Sequence, residues 1–319
     1  MTSGTAAGAP NWTLESLRAH LQYALDLELW TIPYYMSAMY SIRDPASDAY
    51  QLLQSVIHQE MLHAQLVCNL LNAFGGQPVF SPPVYGGPQI PHLDFKLDDP
   101  DPTTFFKPYS TRIGPFDLMR VNTMCLIEYP KWQSRSPPSD PNQAEYGSIG
   151  EFYEAIGVGV TELREQLRGG VRQVDFFGAY YNNLPTTMIT LDGIDGYRQA
   201  VELLDLITEQ GEGRTRGDAD VPVPYQNTAD GFHEDWPHFR KFTYIRDLKL
   251  FPATFSPEGE PGPAGRNAQQ ILMRDFAAFI GLLNDIFQGR PYRNFGAVMA
   301  KLGGDVLSCW QHDVVPRFS

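Results

Sequence analysis

The stretch VIHQEMLHAQLVCNLL, residues 56–71, has the spacing of one helix face, but two ionisable residues stand on that face. Val67 and Leu70 belong to its apolar stripe, and Glu60 and His63 occupy positions where the helical period calls for apolar residues. A carboxylate and an imidazole three residues apart project from the same side of a helix and can share one metal ion. Burying an ionised group is costly unless it is paired or bound to a metal. The stretch therefore predicts half of a metal site inside a helical protein.

The preceding helix carries an acid in the same kind of position. Apolar residues recur with helical spacing from Leu14 to Ile42, behind Thr13 as a predicted N-cap, and Glu28 fills one place in that stripe. Pro33 is expected to kink this helix without ending it. A lone Glu on one helix and Glu-x-x-His on its neighbour form half of the di-iron or di-manganese site of ferritin-like bundles. The pattern therefore predicts a second half-site downstream.

The residue types of a second half-site follow in the expected order. Glu128 lies on the apolar face of its helix, and Glu212 continues the apolar face of another, whereas Glu209 falls on the polar side. His238 comes after a loop rich in Gly and Pro, so the last bundle helix must be interrupted by an insertion and then resume. Glu60 or Glu128 would bridge two metal ions. The predicted metal ligands, which are also the predicted catalytic residues, are Glu28, Glu60, His63, Glu128, Glu212 and His238.

Two of these assignments have an alternative. Glu151 could replace Glu128, although Ser148 and Glu151 also form the pattern of a capping box, which gives Glu151 a structural role. His233 could replace His238, although a position in a surface loop is the simpler interpretation. Both alternatives stay open at the level of sequence.

Composition excludes several classes of partner. The 319 residues carry 24 Lys and Arg against 37 Asp and Glu, a net charge of −13, which disfavours nucleic acid and anionic membranes as partners. The sequence has no run of about 18 apolar residues and no signal-peptide pattern at its N-terminus. Three cysteines, an odd number, are typical of a reducing compartment. We expect a soluble, cytoplasmic protein.

The periodic segments predict an all-α protein: a ferritin-like four-helix bundle with long irregular loops and extra C-terminal helices. We expect a single domain over residues 1–319. Its predicted bundle core covers about 13–76, 112–170 and 194–250, and its helical extension covers about 265–319, with one helix near Asn267 to Phe287. The predicted irregular loops are Pro78 to Thr111, Lys131 to Gly147 and Gly211 to Ala229.

Several motifs together resemble a known family. They are LELWTIPYYMSAMYSI (27–42), QEMLHAQLVCNLLNAFGGQP (59–78), IEYP (127–130), IGEFY (149–153), QGEG (210–213), the H-F-x-x-F of His238 to Phe242, and RDFAAFIGLLNDIFQG (274–289). This set resembles the ferritin-like domain of the VioB/RebD/StaD type, described as iminophenyl-pyruvate dimer synthase, from bisindole pigment and alkaloid pathways. The enzymes of that name are much longer, so the chain is similar to their ferritin-like portion. Gln59 stands where the family often has the first of two acids.

The predicted metals and ligands indicate a non-haem, metal-dependent oxidase or oxygenase of secondary metabolism. Imidazole and carboxylate ligands suit iron or manganese, and we expect two metal ions, with iron preferred. O2 or H2O2 would oxidise or couple an aromatic or amino-acid-derived small molecule, in a monomer or small homo-oligomer. The alternatives are an iron storage or detoxification protein and a metal-free helical partner domain of a biosynthetic complex.

Overall fold

The structure is a computed structural model that describes residues 11–87, 89–130, 140–176, 184–213, 219–226, 232–291 and 294–319. Parts of the predicted loops, residues 131–139, 214–218 and 227–231, lie outside the described residues. Within the described ranges the chain forms eight α-helices and no strand, so the predicted all-α class is confirmed. The helices are α1 (Leu14–Ser41), α2 (Asp48–Ala73), α3 (Leu118–Ile127), α4 (Ile149–Glu162), α5 (Gly193–Gln210), α6 (His238–Asp247), α7 (Pro263–Phe287) and α8 (Phe295–Gln311).

Helix α1 begins at the predicted cap and runs through its proline. The Thr13 hydroxyl accepts a hydrogen bond from the Ser16 backbone N–H at 3.1 Å, and Ser16 Oγ accepts one from Thr13 N–H at 3.0 Å. Pro33 lies inside the helix and is buried. Proline lacks the N–H that would bond the carbonyl four residues earlier. Packing of the apolar side chains on both sides of Pro33 keeps the helix continuous, as predicted.

Helices α1 and α2 form an antiparallel hairpin, and α5 with α6 runs antiparallel to α2. Three side-chain contacts trace this path in steps of one turn of α2. The contacting pairs are Gln210 with His63, His238 with Gln59, and Lys241 with Ser55. Helix α6 therefore continues the line of α5 after the insertion of residues 211–237. This is the interrupted last bundle helix that the position of His238 predicts.

Helices α3 and α4 together run antiparallel to α1. The contacting pairs are Phe116 with Ser41, Glu128 with Tyr35, and Tyr153 with Glu28. A second insertion, residues 128–148, separates the two helices. The protein is thus a four-helix bundle with α1, α2, α3–α4 and α5–α6 as its four members. Both interruptions lie at the level of the predicted ligands.

The two C-terminal helices pack on each other, and α8 packs on α1. The indole N–H of Trp310 in α8 donates to the Ser37 carbonyl of α1 at 3.0 Å. These are the extra C-terminal helices that the sequence predicts, although α8 is not marked there as a separate helix. No helix in the described part of the chain is both long and apolar enough to cross a lipid bilayer.

Substituting alanine for each of two glycines in α4 is expected to change stability in opposite directions. A Cβ at Gly159 would lie 2.7 Å from the Trp12 ring, whereas a Cβ at Gly157 would meet nothing within 4 Å. We expect Gly159→Ala to lower the free energy of unfolding by about 1–3 kcal/mol through overpacking. Gly157→Ala should raise it by up to about 1 kcal/mol through helix propensity. Urea unfolding of both variants measures the difference, and equal effects would contradict the close approach at Gly159.

Candidate metal centre

The six predicted ligands all lie in the interior of the bundle. Glu28, Glu60, His63 and Glu128 are each 2% exposed, Glu212 is 5% exposed and His238 is fully buried. The interior therefore holds four carboxyl groups and two imidazoles where apolar side chains would be cheaper to bury.

The helices bring these side chains to one level from four directions. Glu28 lies in the middle of α1, and Glu60 and His63 lie one turn apart in the middle of α2. Glu128 is the C-cap residue of α3 and His238 is the first residue of α6. Both interrupted members of the bundle thus contribute their ligands at the point of interruption.

The Glu60 carboxylate lies between the two histidines. Its Oε2 atom is 3.9 Å from His63 Nδ1, and its Oε1 atom is 3.0 Å from His238 Nδ1. A ligand atom from each of these three residues lies within 4.8 Å of the other two. One carboxylate facing two imidazoles with two different oxygens has the geometry of a bridge between two metal ions.

Glu28 and Glu128 occupy matching positions on either side of this bridge. Glu28 Oε2 is 3.8 Å from His63 Nδ1, and Glu128 Oε2 is 3.5 Å from His238 Nδ1. The other oxygen of each accepts a tyrosine hydroxyl: Tyr153 donates to Glu28, and Tyr35 donates to Glu128 at 2.6 Å. Burial raises the pKa of both phenols, so they remain donors. The residues form two half-sites, the His63 half-site (Glu28, Glu60, His63) and the His238 half-site (Glu128, Glu60, His238).

In the His63 half-site the imidazole is oriented by Gln210. The amide nitrogen of Gln210 donates to the Tyr225 carbonyl at 2.7 Å, so its Oε1 atom must face the other way. That oxygen accepts the Nε2–H of His63 at 3.1 Å. In a neutral imidazole only one nitrogen carries a proton. His63 therefore presents the Nδ1 lone pair to Glu28 and Glu60.

In the His238 half-site the same role falls to Gln59. Lys241 Nζ, which can only donate, lies 3.2 Å from Gln59 Oε1, and this fixes the orientation of the amide. The same oxygen accepts the Nε2–H of His238 at 2.9 Å. His238 thus also presents its Nδ1 lone pair to the carboxylates. The two half-sites share this arrangement of a glutamine behind a histidine.

Burial disfavours the charged forms of the predicted ligands in the metal-free site. Burial, reinforced by neighbouring carboxylates, raises the pKa of Glu28, Glu60 and Glu212 well above the ordinary value. Burial lowers the pKa of His63 and His238, so both imidazoles are neutral at pH 7. Neutral imidazoles and carboxyl groups that release a proton on binding are the ligand set of a transition metal.

Two buried acceptor atoms indicate that a cation fits this site. Glu60 Oε1 and His238 Nδ1 face each other, and neither has a hydrogen-bond partner. Buried polar atoms are normally satisfied. If Glu60 is ionised, these two atoms present lone pairs to each other, and if Glu60 is protonated, one shared proton satisfies both. A metal ion bound by both atoms would replace that proton, so the residues present fit a metal centre.

Glu212 joins the group from the end of α5. It lies two residues beyond the helix, and its charge interacts with those of Glu128 and Glu28. No hydrogen bond or ion pair links it directly to another of the predicted ligands among the described residues. The prediction that Glu209 lies on the polar side is wrong: Glu209 is 7% exposed. Near its C-terminus α5 buries Glu209 and Gln210 against the bundle, because this face is turned toward the site.

The alternative ligands have other roles in the structure. Glu151 Oε2 accepts the backbone N–H of Gly147 at 3.0 Å, and Ser148 Oγ accepts that of Glu151 at 3.2 Å. Ser148 thus caps α4, whereas the Glu151 side chain bonds the residue before the cap, so the reciprocal bond of a capping box is not formed. His233 stacks on Trp236 with ring centroids 3.9 Å apart. Glu128 and His238, rather than Glu151 and His233, face the other ligands.

Five residues that the site description adds are absent from the predicted set: Tyr35, Gln59, Tyr153, Gln210 and Lys241. Tyr153 belongs to the IGEFY motif, but an aromatic residue on an apolar stripe is ordinary core. Lys241 follows His238 by three residues, the same spacing as Glu60 and His63, and this was a usable signal. Gln210 precedes the insertion, and nothing in its sequence context marks it.

An open cleft between α4 and α5 reaches the site. Its volume is about 700 Å³, and both Tyr153 and Glu212 form part of its wall. Val158, Val201 and Leu204 make one part of the lining apolar. A molecule in this cleft would therefore lie against two residues of the candidate metal centre.

Comparisons with known proteins agree with this fold. The ferritin-like family model matches residues 21–247. The chain is also similar to a solved structure, described as a ferritin like protein from Caulobacter vibrioides, with 46% identity and a TM-score of 0.86. The similarity covers 97% of this chain and 100% of that one. Among curated proteins, the comparison found no match.

Proposed function

The chain belongs to the ferritin-like family, and we propose that it is a di-iron oxidoreductase that oxidises a small organic molecule with O2 or H2O2. Manganese is the alternative metal. The ligands would be Glu28, Glu60 and His63 for one ion and Glu128, Glu60 and His238 for the other, with Glu212 completing the set. Glu60 would be the bridge.

The observation that carries this proposal is the pair of buried lone-pair atoms on Glu60 and His238, 3.0 Å apart and without hydrogen-bond partners. A helical bundle gains little from burying this pair of atoms, because only a proton or a cation placed between them satisfies either one. The matching orientation of both imidazoles by Gln59 and Gln210 supports the same conclusion, since orienting partners of this kind are typical of metal-bound histidines.

When bound, redox-active metal ions would supply the electron transfer that oxidation by O2 or H2O2 requires. The chain's own residues would hold the metal ions and keep their ligands in position. Tyr153 and Tyr35 hold the outer carboxylates through their hydroxyl groups, which leaves the other oxygen of each free to bind. Gln59 and Gln210 hold the histidine tautomers. The surrounding apolar core limits the access of water.

The substrate would enter through the cleft between α4 and α5. The cleft is large enough for a drug-sized molecule, and its apolar wall suits an aromatic or amino-acid-derived compound. A narrower apolar cavity of about 50 Å³ lies on the other side of α1 and α2, and its walls contribute no acid or histidine. The cleft is therefore the better candidate for a reaction site.

We further propose a role in secondary metabolism, on the resemblance of the sequence motifs to the VioB/RebD/StaD type. A cytoplasmic location is supported by the three cysteines, which are free and buried. We propose a monomer or small homo-oligomer. The long insertions between bundle helices, residues 128–148 and 211–237, favour an enzyme over a storage shell, which is built from compact bundles with short loops.

Elemental analysis of the protein purified without added metal, combined with optical spectroscopy during aeration of the iron-loaded protein, tests the proposal. We expect two iron ions per chain and an absorption band of an oxo-bridged pair. Light scattering separates the alternatives, because a storage protein would assemble into a large shell near 24 chains. Absence of bound metal after anaerobic iron loading would instead support a metal-free partner domain.

A further inference from the structure

The two half-sites differ in what stands behind their glutamines. Gln210, behind His63, is held by a neutral backbone carbonyl, that of Tyr225. Gln59, behind His238, is held by the ammonium group of Lys241. Lys241 is fully buried, and Ser55 Oγ accepts its second hydrogen bond at 3.0 Å. The ammonium group is therefore linked through two hydrogen bonds to the His238 half-site alone, although its charge also acts on His63.

Two physical effects of Lys241 act in the same direction. A buried positive charge repels a metal cation, and the repulsion is stronger where water is excluded. Lys241 also competes for Gln59 Oε1, the atom that accepts the His238 N–H. A partner that accepts this proton strongly makes the histidine a better ligand, and an acceptor shared with an ammonium group accepts less strongly. Both effects weaken metal binding at the His238 half-site.

We propose that the two metal positions are inequivalent, that the His63 half-site fills first, and that Lys241 makes the His238 half-site the weaker, exchangeable position. This inference rests on the proposed function, because it requires that the site bind two ions. Lys241 acts through Gln59 and through its charge, so it is a positioning residue.

Titration of the metal-free protein with Co²⁺, followed by absorption spectroscopy, tests the order. We expect two binding steps in the unmodified protein. His238→Ala should remove the weaker step, and His63→Ala should remove the tighter one. Lys241→Met should tighten the weaker step about tenfold, the lower end of what orienting partners of a ligand contribute. It should tighten the other step by less, because only the His238 half-site also loses a competitor for its glutamine.

Two further variants complete the experiment. Gln59→Glu places a carboxylate between Lys241 and His238, so it should also tighten the weaker step, and it serves if Lys241→Met does not fold. Arg240→Met is the control, because it removes a charge from the same helix at the surface, where Arg240 pairs with Asp220. It should change neither step.

The outcomes separate this inference from the proposed function. No Co²⁺ binding by the unmodified protein would overturn both. Two steps that keep their affinities in Lys241→Met and Gln59→Glu would overturn the role of Lys241 and leave the two-metal site standing. Loss of the tighter step in His238→Ala would overturn the proposed order of filling.

Discussion

Replacing Glu60 with alanine is expected to remove both metal ions, whereas Glu28→Ala should remove only one. The reason is the position of each carboxylate: Glu60 offers one oxygen to each histidine, and Glu28 faces His63 alone. Metal content per chain, measured after anaerobic loading with iron and gel filtration, distinguishes the two variants. Glu165→Ala, at a side chain 83% exposed on the surface, is the control and should bind as much metal as the unmodified protein.

The stability of Glu60→Ala distinguishes loss of a metal ligand from loss of the fold. Without metal, Glu60 is a carboxyl group buried among other carboxyl groups, and such placement costs stability. The metal-free Glu60→Ala protein should therefore melt no lower than the metal-free unmodified protein. Full metal content in both Glu60→Ala and Glu28→Ala would refute the metal site, and a collapsed melting temperature would mean that Glu60 is a structural residue.

The long, strongly periodic segments of the sequence allowed the fold to be predicted. In α1 and α2 the apolar stripes are uninterrupted except by Glu28, Glu60 and His63, so the exceptions were visible against a regular background. The six predicted ligands are all buried at one level of the bundle, although their binding of metal remains a prediction. Residue type and helical phase were sufficient to select them.

Features that depend on contacts between distant segments could not be predicted in the same way. Helix α8 contains Gly303 and Gly304, which lower helix propensity, and a Cβ at Gly303 would clash with the Tyr40 hydroxyl. That close approach explains the glycine, but it is not visible in the sequence. Likewise, Glu209 looks exposed by helical phase, and only the packing of α5 on α2 and α4 buries it.

The metal-free protein is expected to lose stability as pH rises above about 6.5, and the metal-loaded protein is not. Burial raises the pKa of Glu28, Glu60 and Glu212 above the ordinary value, so the folded chain keeps protons that the unfolded chain releases. Their contribution to stability is complete at pH below about 4.5 and decreases as pH rises toward the folded-state pKa. The slope is about −1.4 kcal/mol per pH unit for each carboxyl group that stays protonated in the folded chain.

The two histidines affect the stability of the metal-free protein at lower pH. Burial lowers the pKa of His63 and His238 in the folded chain. The unfolded chain therefore binds protons at a pH where the folded chain does not, and the free energy of unfolding falls as pH drops below about 6.5. Above that value both states hold neutral imidazoles, and only the carboxyl groups still contribute. The metal-free protein should therefore be most stable on the acidic side of neutrality.

Metal binding would remove this dependence, because coordinated carboxylates have already released their protons. The difference in melting temperature between metal-loaded and metal-free protein should widen as pH rises above about 6.5 in calorimetric scans. Glu28→Gln keeps the shape of the side chain but cannot ionise, so its metal-free form should show a shallower decline than the unmodified protein. Parallel curves for metal-loaded and metal-free protein would mean that the buried carboxyl groups are already ionised without metal. In that case a permanent countercharge within the bundle, with Lys241 as the nearest buried cation, would have to compensate them.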